Sequence, residues 1–130
     1  MKPTTSACES ILTIEDDDAI RVSLNDLLAS EGYKVFDAAN GKVAFEVLNT
    51  LPQPTLLLLD LMMPAMNGYE FSSAIKKMED LSKYPIVIMS ASRDGEQYAK
   101  QEGFPFLKKP LDVDRLLELV EKLCKKKLHI

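Results

Sequence analysis

The chain has 130 residues, 46% of them apolar and 28% charged, with a net charge of −4. That is one ordinary domain, large enough to bury a core without a structural metal and neither apolar enough to span a membrane nor polar enough to stay unfolded. Its basic residues form one cluster, Lys125, Lys126 and Lys127, which suits a helix end better than a nucleic-acid surface.

In chain order, residues 10–15 predict a short strand that runs into acid at Glu15, Asp16, Asp17 and Asp18. Asp17 or Asp18 can cap a helix with apolar positions Ile20, Leu24, Leu27 and Leu28, and Gly32 marks its end. Residues 33–38 have strand character. Asn40 and Gly41 open a second helix carrying Val43, Val47 and Leu48, which stops before Pro52. Leu56, Leu57, Leu58 and Leu59 make a strand with no polar face, followed by Asp60 and a loop to Asn67. Phe71, Ala74, Ile75 and Met78 line one face of a third helix. Residues 85–90 form another wholly apolar strand, ending in Ser90.

Residues 94–102 predict a weak, short or irregular fourth helix, with only Tyr98 and Ala99 apolar. Residues 104–107 are a short strand before Lys108, Lys109 and Pro110. The last helix carries Val113, Leu116, Leu117, Val120, Leu123 and Cys124 in register. Cys8 and Cys124 are too few and too far apart to read as a metal site or a disulfide framework. Cys124 therefore reads as a small core residue. No secretory leader precedes the first strand, and a cytoplasmic location is the default expectation.

Five strand–helix alternations imply parallel strands with right-handed crossovers and helices on both faces, an α/β doubly wound sheet. Strands buried on both faces should be continuously apolar, and two of these are. In such sheets ligands bind beyond the carboxyl ends of the strands. There the sequence places Glu15 and Asp16, then Asp60, Ser90 and Lys109. Crowded carboxylates call for a cation, and an all-oxygen donor set suits Mg²⁺. A metal and a lysine together would hold a phosphoryl group, and a carboxylate can accept one as an acyl phosphate. Each residue alone also has a plainer use. Asp60 could begin a turn, the acidic run could cap a helix, Ser90 could satisfy a strand end and Lys109 could be solvated.

With these residues in place, the chain resembles the receiver domain of two-component response regulators over essentially its whole length. "ILTIEDDDAIRVSLNDLLASEGYKV" is similar to the family's first strand and helix, and "LLLLDLMMPAMNGYEF" to its phosphoacceptor segment. "PIVIMSAS" resembles the strand bearing the switch hydroxyl, and "FLKKPLD" the strand end bearing the lysine. The resemblance implies a flavodoxin-like strand order 2-1-3-4-5 in a single domain with its core at about residues 9–127 and no output domain.

It also implies Asp60 as phosphoacceptor, with Glu15 and Asp16 as the metal acids and the Met62 backbone carbonyl completing the Mg²⁺ shell. Ser90 is the implied switch hydroxyl, Lys109 the phosphoryl counter-ion and Phe106 the switch aromatic. Met62 and Ser92 occupy positions that tune phosphoryl lifetime, and Lys109–Pro110 is a cis candidate.

The implied function is a phosphorylation-dependent switch in a bacterial two-component or phosphorelay system, fed by a histidine kinase or histidine phosphotransfer protein. It would not be a turnover enzyme. No nucleic-acid or membrane partner is expected. His129, the sole histidine, makes the chain a receiver and not a donor. The alternative is a receiver-like docking module that is not phosphorylated. A small aspartyl phosphatase would need an acid where Met62 stands.

Three departures from the family are visible, the first being Glu15, a common variant where the usual acid is Asp. Thr55 stands where Asp is usual, read as a surface matter. The segment from Ser90 to Lys109 spans 19 steps (109 − 90), about three fewer than the family's usual spacing.

Overall fold

The computed structural model of the chain describes residues 8–61, 67–77 and 83–124. Strands β1 (Ser10–Ile14), β2 (Val35–Ala38), β3 (Thr55–Asp60), β4 (Ile86–Ser90) and β5 (Phe106–Lys108) alternate with five helices. These are α1 (Asp18–Ser30), α2 (Gly41–Val47), α3 (Gly68–Lys76), α4 (Arg93–Glu102) and α5 (Val113–Cys124). All four strand pairings are parallel, in the order β2-β1-β3-β4-β5, as expected. Among the described residues no helix is long and apolar enough to cross a membrane.

The central strand explains the leucine run. Leu56 and Leu58 pack on one face with Leu24, Leu28, Leu116 and Val120, while Leu57 and Leu59 pack on the other with Phe71 and Ile75. All four leucines are fully buried. Each contributes about 1.5–3 kcal/mol of hydrophobic stabilisation relative to exposure. A strand pinned on both faces carries its last residue, Asp60, in a fixed direction.

Local chemistry sets the helix ends. The Asp17 carboxylate accepts from the Ile20 N–H, and the Asn40 side chain accepts from the Val43 N–H. Asn67 and Glu70 form a reciprocal capping box at α3. The fourth helix, expected to be short or irregular, is a regular ten-residue helix. Ser92 caps its N-terminus, and Gly103 ends it in the left-handed conformation (φ 78°).

Three expectations are corrected. Cys8 and Cys124 form a disulfide. β1 begins at the amino edge of the sheet and α5, running antiparallel to the strands, ends there, so 116 residues of separation close to a Cα–Cα distance of 4.8 Å. Thr55 is fully buried rather than at the surface. Its hydroxyl accepts from Ser10 Oγ and donates to the Pro52 carbonyl. Finally, α2 buries Gly41 and Ala44, with Leu48 in the following 3-10 turn, while Val43 is exposed. Met78 and the lysine cluster at 125–127 lie outside the described residues.

Candidate functional site

At the carboxyl edge of the sheet, β1, β3, β4 and β5 deliver Glu15, Asp60, Ser90 and Lys109 to one place. Glu15 follows β1 directly and is buried, as is Asp60 at the end of β3; Asp16, the next residue along, is exposed. Carboxylate oxygens of Glu15, Asp16 and Asp60 all lie within 4.8 Å of one another. Lys109 reaches in from beyond β5, its Nζ 2.5 Å from Glu15 Oε1 and 3.5 Å from Asp60 Oδ2. The Lys109–Pro110 peptide is cis, as expected, and Gln53–Pro54 is cis as well.

Burial raises the Glu15 pKa; Lys109 opposes that shift, and Asp60 adds to it by repulsion. For Lys109 burial acts downward, but the Glu15 and Asp60 carboxylates prevail and hold the ammonium above the ordinary lysine value. One cation is thus shared by two buried acids, with a third acid at the rim. Three hard oxygen donors at this spacing fit Mg²⁺, which takes carboxylates, waters and phosphate oxygens. Burial is the first cause of the raised Glu15 value, and the neighbouring Asp60 carboxylate adds to it.

Ser90 ends β4 and is buried. Its hydroxyl accepts from the Ser92 N–H at 3.1 Å and shares a hydrogen bond with Ser92 Oγ at 3.2 Å. Phe106 starts β5 opposite Ile88 and packs, partly buried, against the core that holds Leu57 and Leu59. Met62, expected to lend a backbone carbonyl, lies outside the described residues, and so does His129.

Sequence reasoning missed one residue that shapes this edge. Arg21 donates to the Glu15 backbone carbonyl at 2.8 Å, to Asp18 at 2.5 Å and to Asp37 at 3.2 Å. Its guanidinium ties the acidic loop to α1 and β2. The i, i+3 spacing of Asp18 and Arg21 was a visible signal, but the bond to a backbone carbonyl left none.

The chain matches the response regulator receiver domain over residues 11–121. It is 34% identical over 115 residues to sporulation initiation phosphotransferase F of Bacillus subtilis (strain 168), covering 88% of this chain and 92% of that one. It is 33% identical over 116 residues to two-component response regulator ORR11 of Oryza sativa, covering 85% and 79%. Against the probable transcriptional regulators ycf29 of two Porphyra and Pyropia species it spans only about half their length (56% and 52%). Among solved structures, the receiver domain of Francisella response regulator 1452 superposes with a TM-score of 0.79 at 26% identity, covering 90% of this chain and 97% of that one. Relatives thus come from plants as well as bacteria, so the likeness does not assign a bacterial source.

Proposed function

We propose, since the chain belongs to the response regulator receiver domain family, that it is a signalling switch which accepts a phosphoryl group on Asp60. Membership supports phosphorylation-dependent signalling in a two-component system. The observation that carries the finer reading is the convergence of Glu15, Asp16, Asp60 and Lys109 at one sheet edge.

The donor is a phosphohistidine on a histidine kinase or phosphotransfer protein. An Asp60 carboxylate oxygen attacks phosphorus in line, the P–N bond breaks, and the imidazole leaves with the bonding electron pair and is protonated. Glu15, Asp16 and Asp60 would hold Mg²⁺, which supplies neutralisation of the phosphoryl oxygens when bound. Lys109, shared at rest between Glu15 and Asp60, turns to the new acyl phosphate, whose greater charge outcompetes a carboxylate. Ser90 then donates its hydroxyl to a phosphoryl oxygen. The signal is the resulting change at a protein-binding surface, without turnover of a substrate.

Intact mass after incubation with acetyl phosphate tests this, with and without Mg²⁺, for wild type and Asp60→Ala. A Mg²⁺-dependent gain of one phosphoryl group in wild type only is expected. No gain under any condition overturns the reading in favour of an unphosphorylated docking module.

A further inference from the structure

Arg21 stands one turn into α1, and its side chain is only 15% exposed. The guanidinium donates in three directions: Nη1 to the Glu15 carbonyl at 2.8 Å, Nη2 to Asp18 at 2.5 Å and Nε to Asp37 at 3.2 Å. Asp18 and Asp37 are exposed, and ion pairs of that kind add little to stability. Their effect is to hold the planar fork in one orientation. Behind it, Asp37 Oδ2 also accepts from Asn25 Nδ2 at 2.9 Å, and Asn25 Oδ1 accepts from the buried Thr13 hydroxyl at 2.6 Å. The guanidinium is thus anchored to α1, to β2 and to the interior of β1.

What it holds is the peptide between Glu15 and Asp16. The ladder pairs of β1 end at Ile14, and the chain bends at Asp16 before Asp17 caps α1. The Glu15 carboxylate is kept in place by other donors, Lys109 Nζ at 2.5 Å and the Asp17 N–H at 3.3 Å. Asp16 lacks such help. It is exposed, and among the described residues nothing hydrogen-bonds its carboxylate. Its place within 4.8 Å of the Glu15 and Asp60 oxygens is therefore set by its backbone, and the side chain that grips that backbone is Arg21.

We propose that Arg21 is a positioning residue for the cation site: by holding the Glu15–Asp16 peptide, it sets both acids beside Asp60 as one place for Mg²⁺. This rests on the switch reading above and adds a residue whose bonds reach none of the three site carboxylates. The sign of its effect separates this role from simple electrostatics. Removing a cation from the neighbourhood of three carboxylates deepens the negative potential, which by Coulomb attraction alone tightens Mg²⁺ binding. Losing a group that orients the ligands loosens binding instead, by about 10–100-fold. Positioning and charge therefore predict opposite outcomes for the same substitution.

The test is a Mg²⁺ titration of the unphosphorylated full chain, read by calorimetry and by the rise in Tm, for wild type, Arg21→Met and Arg21→Lys. Asn40→Ala, a loss confined to the α2 cap, is the control for lowered stability. Arg21→Met keeps an apolar stem and should weaken Mg²⁺ binding about tenfold or more. Arg21→Lys keeps the charge but not the planar fork, and should fall between Arg21→Met and wild type. Asn40→Ala should lower Tm and bind Mg²⁺ as wild type does. With acetyl phosphate, the weakened variants should need more Mg²⁺ for half-maximal phosphorylation and regain the wild-type rate at saturation; a shortfall that persists there overturns a role through the cation. Wild-type or tighter binding by Arg21→Met overturns the proposal and leaves a surface ion pair. So does Arg21→Lys indistinguishable from wild type, and that variant decides alone if Arg21→Met does not fold. Equal weakening in Asn40→Ala overturns it too, because lost stability is then the cause. Wild type that binds no Mg²⁺ fails at the earlier step and takes the cation site of the switch reading with it.

Discussion

The two edges of the sheet are built on opposite principles. At the carboxyl edge, Glu15, Asp16 and Asp60 crowd together around one lysine, and the Glu15 pKa is pushed up by burial. At the amino edge, Cys8 and Cys124 are covalently joined. Beside them, the Ser10 hydroxyl lies within hydrogen-bond distance of the Pro52 carbonyl and of Thr55 Oγ1, and Gln53 donates to the Tyr84 hydroxyl. One edge gathers buried carboxylates around a lysine; the other buries hydrogen-bonded hydroxyls and is stapled.

Breaking the staple should give the largest effect. Cys8→Ser, or reduction of the wild type, should cost about 2–5 kcal/mol of stability, since the bridge constrains a loop spanning nearly the whole chain. Urea unfolding with and without reductant measures it. Phosphoryl acceptance in the folded variant should stay near wild type; a matching loss of acceptance would erase the contrast between the edges.

Lys109→Met attacks the charged edge. It leaves Glu15 and Asp60 without their shared cation and should destabilise by about 2–3 kcal/mol at neutral pH. Saturating Mg²⁺ should restore part of that in a denaturation series, because it supplies positive charge to the same oxygens. A variant indifferent to Mg²⁺ would mean the three acids do not act as one site.

The pH dependence sharpens the point. Glu15 keeps its proton to higher pH in the folded chain than in the unfolded one. Its contribution to stability is therefore fully present below the ordinary glutamate range and is lost as pH rises through its folded value. Mg²⁺ requires the ionised carboxylate, so the rise in Tm on adding Mg²⁺ should grow over that window and level off above it. Thermal denaturation between about pH 4.5 and 8 checks this, and a Mg²⁺ effect constant with pH would contradict it.

The smallest effect belongs to residues at neither extreme. Asn40→Ala removes the cap of α2, where its side chain accepts from the Val43 N–H at 2.9 Å. It should lower stability by about 1 kcal/mol in urea unfolding and leave Mg²⁺ binding untouched.

Much of this was legible in the sequence, for a physical reason in each case. Leu56–Leu59 and residues 86–89 are apolar at every position, which only a strand buried on both faces tolerates. Asp60 and Ser90 stand where those runs end, and Lys109 follows the last strand. A parallel α/β sheet sends all such ends to one edge, which is why the sequence alone places these residues side by side.

What escaped depended on three-dimensional closure. The disulfide pairs residues at opposite ends of the chain, and sequence distance says nothing about where a crossover helix returns. Thr55 lies in the interior because its hydroxyl is satisfied by Ser10 and Pro52, partners invisible to a hydrophobicity pattern. In α2 the larger Val43 looked like the core residue, but tight packing against the sheet selected Ala44. The weak apolar stripe of α4 misled in the same way, for a helix seated through Gly95 and Ala99 shows little hydrophobicity.

The most direct test is localisation of the phosphoryl group after transfer from a phosphorylated histidine phosphotransfer protein, by tandem mass spectrometry of the digested chain. The account predicts one phosphoryl group, on Asp60, appearing only with Mg²⁺. A phosphoryl group on any other residue, or none while the donor stays loaded, would contradict it.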